Sequence, residues 1–414
     1  MKKMLSFFFN SSHAALSKFW FRIAKLVFLP IWFYYHFINK RNLKVFYIHT
    51  PIFGEQLAQF QMLNEFAKKS SEIIYFNHHP TISGIFIYNK QIEQVLNLKN
   101  VKLINQFLLI FRIHSQSIED SLSKRRLVKR KIFCSTFRAL NYRSSLFHSN
   151  FAEKFPYFTE SELHKHRTYL NSKVQELNPK NQIIVVHSRT NNFKKLEPSS
   201  IQSNFRNTDF NEIIMSSKNL NMDKFNFMRI GHYEEDLHHP PTPKIIDIRK
   251  KISLDNYLQL SSFACASAYF GSQSGALSFF VGQKKPCLLI SAYPIDFEYP
   301  IDPKFVMVVP KLIYDKARKK FYNISEQLSD RFLKIQNLYD DRLLISLDLE
   351  VIPIPQELTS QIYAHWQNSI LEGTKSDWLI ESVVATNYLR AKFNLPRLGT
   401  IPIEYFNYLK ELDK

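Results

Sequence analysis

Glycine and cysteine are the residue types that this sequence most lacks. Only 8 of its 414 residues are glycine, which excludes Gly-rich repeats and a G-x-G-x-x-G dinucleotide loop. The three cysteines, Cys134, Cys265 and Cys287, lie far apart, which excludes a disulfide scaffold and a C-x-x-C zinc site and favours a reducing compartment. The sequence also has no Walker loop, no G-x-S-x-G nucleophile elbow and no H-E-x-x-H motif.

Negative charge is scarce as well. There are 55 Lys and Arg residues against 36 Asp and Glu, a net charge of +19. Such an excess is compatible with nucleic acid, an anionic membrane surface or anionic substrates. The densest basic run, residues 124–131, is first interpreted as a solvated face and next as a membrane-phosphate contact. No aromatic-interleaved binding signature accompanies it, so no nucleic-acid partner is expected.

No hydrophobic run is long enough to span a bilayer. The apolar stretch from Leu26 to Ile38 covers 13 residues and contains Pro30, whereas a spanning helix needs about 20. Dense aromatic residues and the cations that follow predict that residues 1–44 form a helix at the membrane interface. The alternative is a helix packed on the protein itself. No cleavage site follows the stretch, so we expect a cytoplasmic protein, peripheral on the inner face of the cytoplasmic membrane.

The next part of the chain, residues 45–178, has the pattern of a parallel α/β domain. Short apolar runs at 45–49 and 73–76 predict strands, and the apolar spacing of residues 55–68 predicts the helix between them. Thr159 and Glu162 form a capping-box pattern that opens a helix. We expect this helix to link two domains.

A second, doubly wound α/β domain is predicted over residues 179–345, followed by a helical tail over 346–414. Its expected strands are 183–187, 225–230, 244–248, 268–271 and 287–291. Its expected helices begin at Asp209, at Ser253 and at Ser274. Further helices are predicted near 324–340 and 355–371.

Cationic residues follow two of these strands. His187-Ser-Arg189 comes after the first, and Arg229, followed by Gly231, ends the second. Ligands of an open parallel sheet bind beyond the carboxyl ends of its strands, where an arginine can hold a phosphate by two contacts. The structural alternatives are an interdomain salt bridge for Arg189 and an exposed residue of an alternating strand for Arg229.

A small-residue turn follows the fourth strand. It reads Gly271, Ser272, Gln273, Ser274, Gly275 and precedes an apolar helix. Small residues let backbone N–H groups approach a ligand, and a helix N-terminus adds partial positive charge. The alternative is a plain tight turn with a serine N-cap. With the two arginines, the turn describes a diphosphate-binding site. No metal is expected, since the spacing of His232, His238 and His239 fits no zinc pattern.

Taken in order, these segments resemble a family of bacterial glycosyltransferases found with surface-polysaccharide genes. The match is close over 183–295 and loose around Tyr47-Ile48-His49. The family has acidic residues where this chain has Thr190 and His232. The matching segments are His187-Ser-Arg189, Arg206-Asn207-Thr208-Asp209-Phe210, Arg229-Ile-Gly231, Ile245-Ile246-Asp247, Tyr269-Phe270-Gly271-Ser-Gln-Ser-Gly275 and Pro286-Cys287.

The resemblance implies two Rossmann-like domains facing a cleft, a GT-B-like architecture. The C-terminal domain would hold a nucleotide-sugar donor, and a glycan or lipid-linked acceptor would approach from the N-terminal domain. On this interpretation the chain is a metal-independent glycosyltransferase without a cofactor, in which Arg189, Arg229 and the turn balance the charge of the leaving diphosphate.

We expect a base to activate the acceptor hydroxyl, and His49 is the candidate, with Asp247 and Asp255 as substitutes. The alternative function is a non-catalytic, membrane-associated protein that binds anionic glycans or phosphate. An RNA-binding protein would be suggested by charge alone. A methyltransferase is disfavoured because no Gly-rich loop follows the first strand.

Overall fold

The computed structural model describes the chain most fully from residue 156 onwards. In the N-terminal part it describes three strands, and beyond them residues 154, 156–189, 205, 207–210, 212–213, 221–231, 245–295, 305–336, 341–372, 376–395 and 398–412. The contacts divide the chain into two compact units, Met1–Pro156 and Tyr157–Lys414. Residues 1–43, the basic run 124–131 and His49 lie outside the described residues, so the predictions made for them stay predictions.

The first unit contains a parallel sheet. Strands β1 (Lys44–Ile48), β2 (Ile73–Asn77) and β3 (Phe133–Ser135) are ordered β2-β1-β3. β1 pairs in parallel with both neighbours. This is the parallel arrangement that the first two apolar runs predict. β3 was not predicted.

The second unit is built on a six-stranded parallel sheet. The strands are β4 (Gln182–His187), β5 (Phe225–Arg229), β6 (Ile245–Asp247), β7 (Ala268–Gly271), β8 (Cys287–Ala292) and β9 (Val306–Pro310). Their spatial order is β6-β5-β4-β7-β8-β9, the doubly wound order in which the chain reverses direction at the first strand. The predicted strands are therefore confirmed as one α/β sheet, with β4 and β7 side by side at its centre.

Ten helices are described along the second unit. They are α1 (Glu160–Lys173), α2 (Arg249–Ile252), α3 (Asn256–Cys265), α4 (Leu277–Gly282), α5 (Ile324–Gln327), α6 (Asp330–Gln336), α7 (Asp341–Ser346), α8 (Gln356–Glu372), α9 (Asp377–Phe393) and α10 (Ile403–Leu412). None of the helices in the described part of the chain combines the length and apolarity that crossing a bilayer requires. A small antiparallel sheet, β11-β10-β12, joins Lys320–Phe321, Leu312–Asp315 and Leu349–Ile352.

Helix α1 belongs with the second unit. Its capping box between Thr159 and Glu162 is formed as predicted. The helix packs on α3, where the Nδ1 of His166 lies 2.9 Å from the Ser261 hydroxyl, so it lies within the C-terminal unit rather than ahead of it. The predicted N-cap of α3, Ser253, is wrong. Ser253 ends α2, and the Asp255 carboxylate caps α3 by accepting from the Leu258 N–H at 2.9 Å.

The predicted helix over 324–340 is interrupted. α5 ends at Gln327, and α6 begins at Asp330. The Ser329 hydroxyl accepts a hydrogen bond from the Phe332 N–H at 3.4 Å. A serine that caps a new helix competes with continuation of the old one, which explains the break.

The C-terminal tail is part of the core of this unit. The ring of Tyr363 on α8 lies 4.2 Å from that of Phe270 on β7. The tail also pairs with the outer edge of the sheet through one bridge, between Thr400 and Met307 of β9. The Thr400 N–H donates to Val306 at 2.8 Å, and its carbonyl accepts from Val308 at 2.8 Å.

Candidate functional site

The polar groups predicted from the sequence follow three adjacent strands at the carboxyl edge of the large sheet. His187 at the end of β4 is paired with Gly271 at the end of β7. Arg229 at the end of β5 is paired with Val186 of β4. Arg189 and the Ser272–Gly275 turn continue directly from β4 and β7. Strands β4 and β7 flank the switch point of the sheet, where ligands of doubly wound folds bind.

The turn after β7 exists because residue 271 is a glycine. Its φ is +150°, and a Cβ built there would lie 1.9 Å from the carbonyl oxygen of His187. The strand ends thus approach more closely than any side chain permits. The Ser272 N–H donates to the same His187 carbonyl at 3.0 Å. His187 and the turn therefore form one rigid corner.

A buried tyrosine supports the turn through its hydroxyl group. The Tyr269 hydroxyl donates to the Ser272 carbonyl at 2.6 Å and lies 3.1 Å from the Ser274 hydroxyl. Burial raises the pKa of Tyr269 far above its usual value, so the phenol remains a donor. The alternative of a serine N-cap is wrong. α4 begins only at Leu277, and its cap residue, Ala276, makes no side-chain hydrogen bond.

The turn presents backbone donors. Among the residues that the structure describes, the N–H groups of Gln273, Ser274, Gly275 and Ala276 reach no protein acceptor. Ser274, Gly275 and Ala276 are half-buried, so this stretch meets solvent. Successive unpaired backbone N–H groups form a concavity that binds anions. α4 has six residues, so these turn amides, rather than a long helix dipole, supply the positive potential.

Arg229 is buried rather than exposed, so the interpretation of β5 as an alternating surface strand is wrong. Arg229 is 3% exposed. Its guanidinium carbon lies 3.3 Å from the centre of the Phe210 ring, and its Nη1 lies 3.9 Å from Asp247. Planar guanidinium groups stack on aromatic faces in this way, and partial burial strengthens the field of the charge.

Arg249 is a third cation at this edge, and it was not predicted from the sequence. It forms a two-point ion pair with Asp247, with Nε–Oδ1 and Nη2–Oδ2 distances of 3.0 and 2.7 Å. Burial alone would raise the pKa of Asp247. The hydrogen bonds and charge of Arg249 and the charge of Arg229 nevertheless hold this pKa below its usual value. The sequence contains a signal for Arg249, since this residue follows the third strand as closely as Arg189 follows the first.

Neither aspartate proposed as a substitute base is placed as a base. A lowered pKa makes Asp247 a weak proton acceptor, and its oxygens are engaged by Arg249. Asp255 accepts hydrogen bonds from Leu258 at the start of α3 and from the Tyr169 hydroxyl at 2.7 Å. His49 remains the candidate base and lies outside the described residues.

His187 and Gly231 complete the edge. Gly231 has a φ of +129°, and a Cβ there would lie 3.5 Å from the His187 ring. The His187 ring stacks over Tyr269 at 6.4 Å, and its Nδ1 lies 3.5 Å from the Ser272 hydroxyl. The carbonyl of half-buried Arg189 accepts the Thr208 N–H at 3.1 Å. The site therefore joins three strand ends in one surface.

No cluster of three His, Cys, Asp or Glu side chains that could hold a metal ion occurs in the described ranges. His232, His238 and His239 fall in a stretch outside them.

A pair of Tyr→Phe substitutions tests the support beneath the turn. Tyr269→Phe removes the bond to Ser272 and leaves a buried carbonyl without that partner, so we expect the free energy of unfolding to fall by about 1–3 kcal/mol. Tyr363→Phe is the matched control. The Tyr363 hydroxyl is buried without a hydrogen-bond partner among the described residues, so its removal is expected to leave stability unchanged or slightly raised. Urea denaturation measures both; equal losses in the two variants would contradict the role of Tyr269.

Comparisons with known proteins identify distant structural similarity only. No protein-family model matches the sequence, and no curated protein matches it. The ADP-heptose LPS heptosyltransferase II of E. coli is 11% identical over 65% of this chain and 90% of its own, with a TM-score of 0.43. A family 9 glycosyl transferase from Veillonella parvula is 11% identical over 80% and 98%, with a TM-score of 0.45. A wall teichoic acid polymerase is 13% identical over 56% and 57%, with a TM-score of 0.26.

Proposed function

We propose that this protein is a glycosyltransferase whose second unit holds the diphosphate of a nucleotide-sugar donor at the carboxyl edge of its sheet. The observation that carries the proposal is that the turn amides of residues 273–276 and the strand ends that carry His187, Arg189 and Arg229 share the carboxyl edge of the sheet. Donors of both kinds, neutral amides and fixed cations, suit the many oxygens of a diphosphate.

The chemistry follows from this placement. In the transfer, the bond between the anomeric carbon and a diphosphate oxygen breaks, and the acceptor oxygen bonds to that carbon. Negative charge then develops on the departing oxygen. Turn amides and arginines fixed beforehand stabilise that charge without reorganising, which lowers the barrier. The stacking of Arg229 on Phe210 and its proximity to Asp247 hold its charge in place.

The remaining roles are assigned from the sequence. We propose His49 as the base that takes the proton of the acceptor hydroxyl. The acceptor is a glycan or a lipid-linked glycan of the cell surface, in keeping with the family that the motifs resemble. The apolar and basic segment 1–44 supports a peripheral position on the anionic inner face of the cytoplasmic membrane.

A second candidate is a non-catalytic protein that binds anionic glycans or phosphate. It is favoured by one observation, the engagement of Asp247 and Asp255 in other contacts. The two candidates differ in product. A transferase or donor hydrolase releases nucleoside diphosphate from a sugar nucleotide, whereas a binding protein returns it intact.

A thermal-shift screen tests the proposal. Full-length protein is heated with UDP, GDP, CDP, their sugars and inorganic pyrophosphate. A ligand at 100 times its Kd adds about 2.7 kcal/mol to stability, and we expect a rise in Tm of roughly 5–10 °C, at about 2–4 °C per kcal/mol. Any nucleotide that binds is then assayed for release of its sugar.

Two matched variants locate the binding. Ser274→Asp places a negative charge in the turn and is expected to abolish the shift. Ser267→Asp places the same charge at a half-buried residue before β7, at the opposite edge of the sheet, and is expected to preserve it. No shift with any nucleotide, or an equal shift in both variants, would reject a diphosphate site at this turn.

A further inference from the structure

Buried polar residues also lie at the carboxyl ends of β8 and β9, on the side of the sheet that the proposed function does not use. Ser291 lies near the end of β8, and Lys311 directly follows β9. Both are nearly inaccessible to solvent, at 2% and 7% exposure. Burying an ammonium group is costly unless it is paired and hydrogen-bonded. The contacts of the Lys311 ammonium therefore indicate the role of this residue.

These residues bind the described part of the segment 205–213, which follows β4 in the chain. The Lys311 ammonium donates to the carbonyl of Asn207 at 2.6 Å. The Ser291 hydroxyl donates to the Glu212 carboxylate at 2.5 Å. Asp341 accepts the Phe205 N–H at 3.3 Å. The segment is thus attached at three points to elements that lie 79 to 136 residues away in the chain.

The same segment contacts the proposed diphosphate site. The Thr208 N–H donates to the carbonyl of Arg189 at 3.1 Å. Two residues further on, the buried Phe210 ring covers the guanidinium of Arg229 at 3.3 Å. Each contact therefore joins an arginine of the site to a residue of the segment. Both residues, Thr208 and Phe210, lie between the Lys311 attachment at Asn207 and the Ser291 attachment at Glu212.

The charges around Lys311 agree with a fixed ammonium. Burial lowers its pKa, while the carboxylates of Glu212 and Asp341 act in the opposite direction. A charge-assisted bond of this kind is about twice as strong as a neutral one. Each of the three attachments has one ionised partner, namely Lys311, Glu212 or Asp341.

We propose that Lys311 and Glu212 are positioning residues that hold the segment 205–213 on the sheet edge and thereby keep Phe210 on Arg229 and fix the backbone of Arg189. The proposal rests on the proposed function only for the identity of the ligand that the site binds. The structural coupling between Lys311 and Arg229 can be measured without any substrate.

Chemical modification of Arg229 by phenylglyoxal measures that coupling. The label reacts with accessible guanidinium groups and is located by mass spectrometry of the full-length protein. Arg229 is buried in the wild type, so slow labelling is expected. Lys311→Met removes the attachment at Asn207, and we expect Arg229 to be labelled about tenfold faster through local opening. The affinity for the nucleoside diphosphate identified by thermal shift is expected to fall by a similar factor.

Lys285→Met is the matched control. Lys285 also donates to two carbonyls, those of Phe263 and Ala264 at 3.1 and 2.9 Å, but it precedes β8 at the opposite edge of the sheet. This variant is expected to leave both the labelling of Arg229 and the nucleotide affinity unchanged. Acceleration in both lysine variants would show general loosening and overturn the proposal.

Glu212→Gln provides a second, milder variant if Lys311→Met does not fold. It weakens the bond to Ser291 and is expected to accelerate labelling of Arg229 by a smaller factor. Unchanged labelling in every folded variant of Lys311 and Glu212 would overturn the positioning role. If the wild type binds no nucleoside diphosphate, the proposed function fails, while the labelling rates still decide whether the segment positions Arg229.

Discussion

Gly271→Ala is expected to destabilise the second unit severely. The added methyl carbon would lie 1.9 Å from the His187 carbonyl oxygen and 2.9 Å from its carbonyl carbon. Both belong to the backbone of the central strand, which is hydrogen-bonded on both sides and cannot move aside. We expect a cost on the order of 4–5 kcal/mol or more, against a total stability of about 5–15 kcal/mol. Soluble yield and the urea midpoint measure the effect.

Gly231→Ala separates this clash from backbone strain alone. Gly231 also has a positive φ, but the nearest atom to its added methyl is the His187 ring at 3.5 Å, an ordinary contact. We expect a loss of about 1–2 kcal/mol from the unfavourable φ, with the fold retained. A Gly271→Ala protein as stable as Gly231→Ala would mean that β4 and β7 are not so closely joined.

Arg229→Ala is expected to lower the affinity for the transition state, and hence donor turnover, by about 10²–10³-fold, as does removal of one donor from other preorganised sites. Arg249 cannot supply this charge in its place, because Arg249 is held in a two-point pair with Asp247. Arg229→Lys keeps the charge but lacks the planar group that stacks on Phe210, so an intermediate loss is expected. Turnover of the donor found by thermal shift measures each variant.

Arg318→Ala is the control for losing a stacked, carboxylate-paired arginine elsewhere. Arg318 lies 4.8 Å from the centre of the Tyr322 ring and 2.6 Å from Asp315, beside the small antiparallel sheet. Its removal is expected to leave donor turnover unchanged. Wild-type turnover in Arg229→Ala, or an equal loss in Arg318→Ala, would reject the assignment of Arg229 to the site.

The strands that carry the site could be predicted because parallel strands buried on both faces read as short apolar runs. Ala268–Gly271 is found at its predicted bounds, and Gln182–His187 and Phe225–Arg229 differ by one residue. The alternation of strands and helices then places the carboxyl ends of these strands at one edge of the sheet, whatever the conformation of the loops. Helix starts were less predictable, because Ser253 and Asp255 are both good caps and only tertiary context selects the second.

The side chains around the site depend on contacts between distant parts of the chain. Nothing local marks Phe210 as the cover of Arg229, and Lys311 lies 104 residues beyond the carbonyl it binds. The burial of Arg229 could not be derived from a strand pattern, since a residue ending a strand can face either way. The end of a strand can be recognised from the local sequence, whereas the residues that cover it cannot.

The pairing of Thr400 with Met307 has a consequence for biosynthesis. Until residues 398–401 have been synthesised, the outer edge of β9 has N–H and C=O groups without this partner, and chains associate with one another on such edges. Thr400 bonds to this edge, and only a glycine fits at residue 399 because a Cβ there would lie 2.3 Å from a Val308 methyl group. A nascent or truncated chain that ends before this stretch therefore exposes a strand edge, prone to association, to which Thr400 bonds in the folded unit.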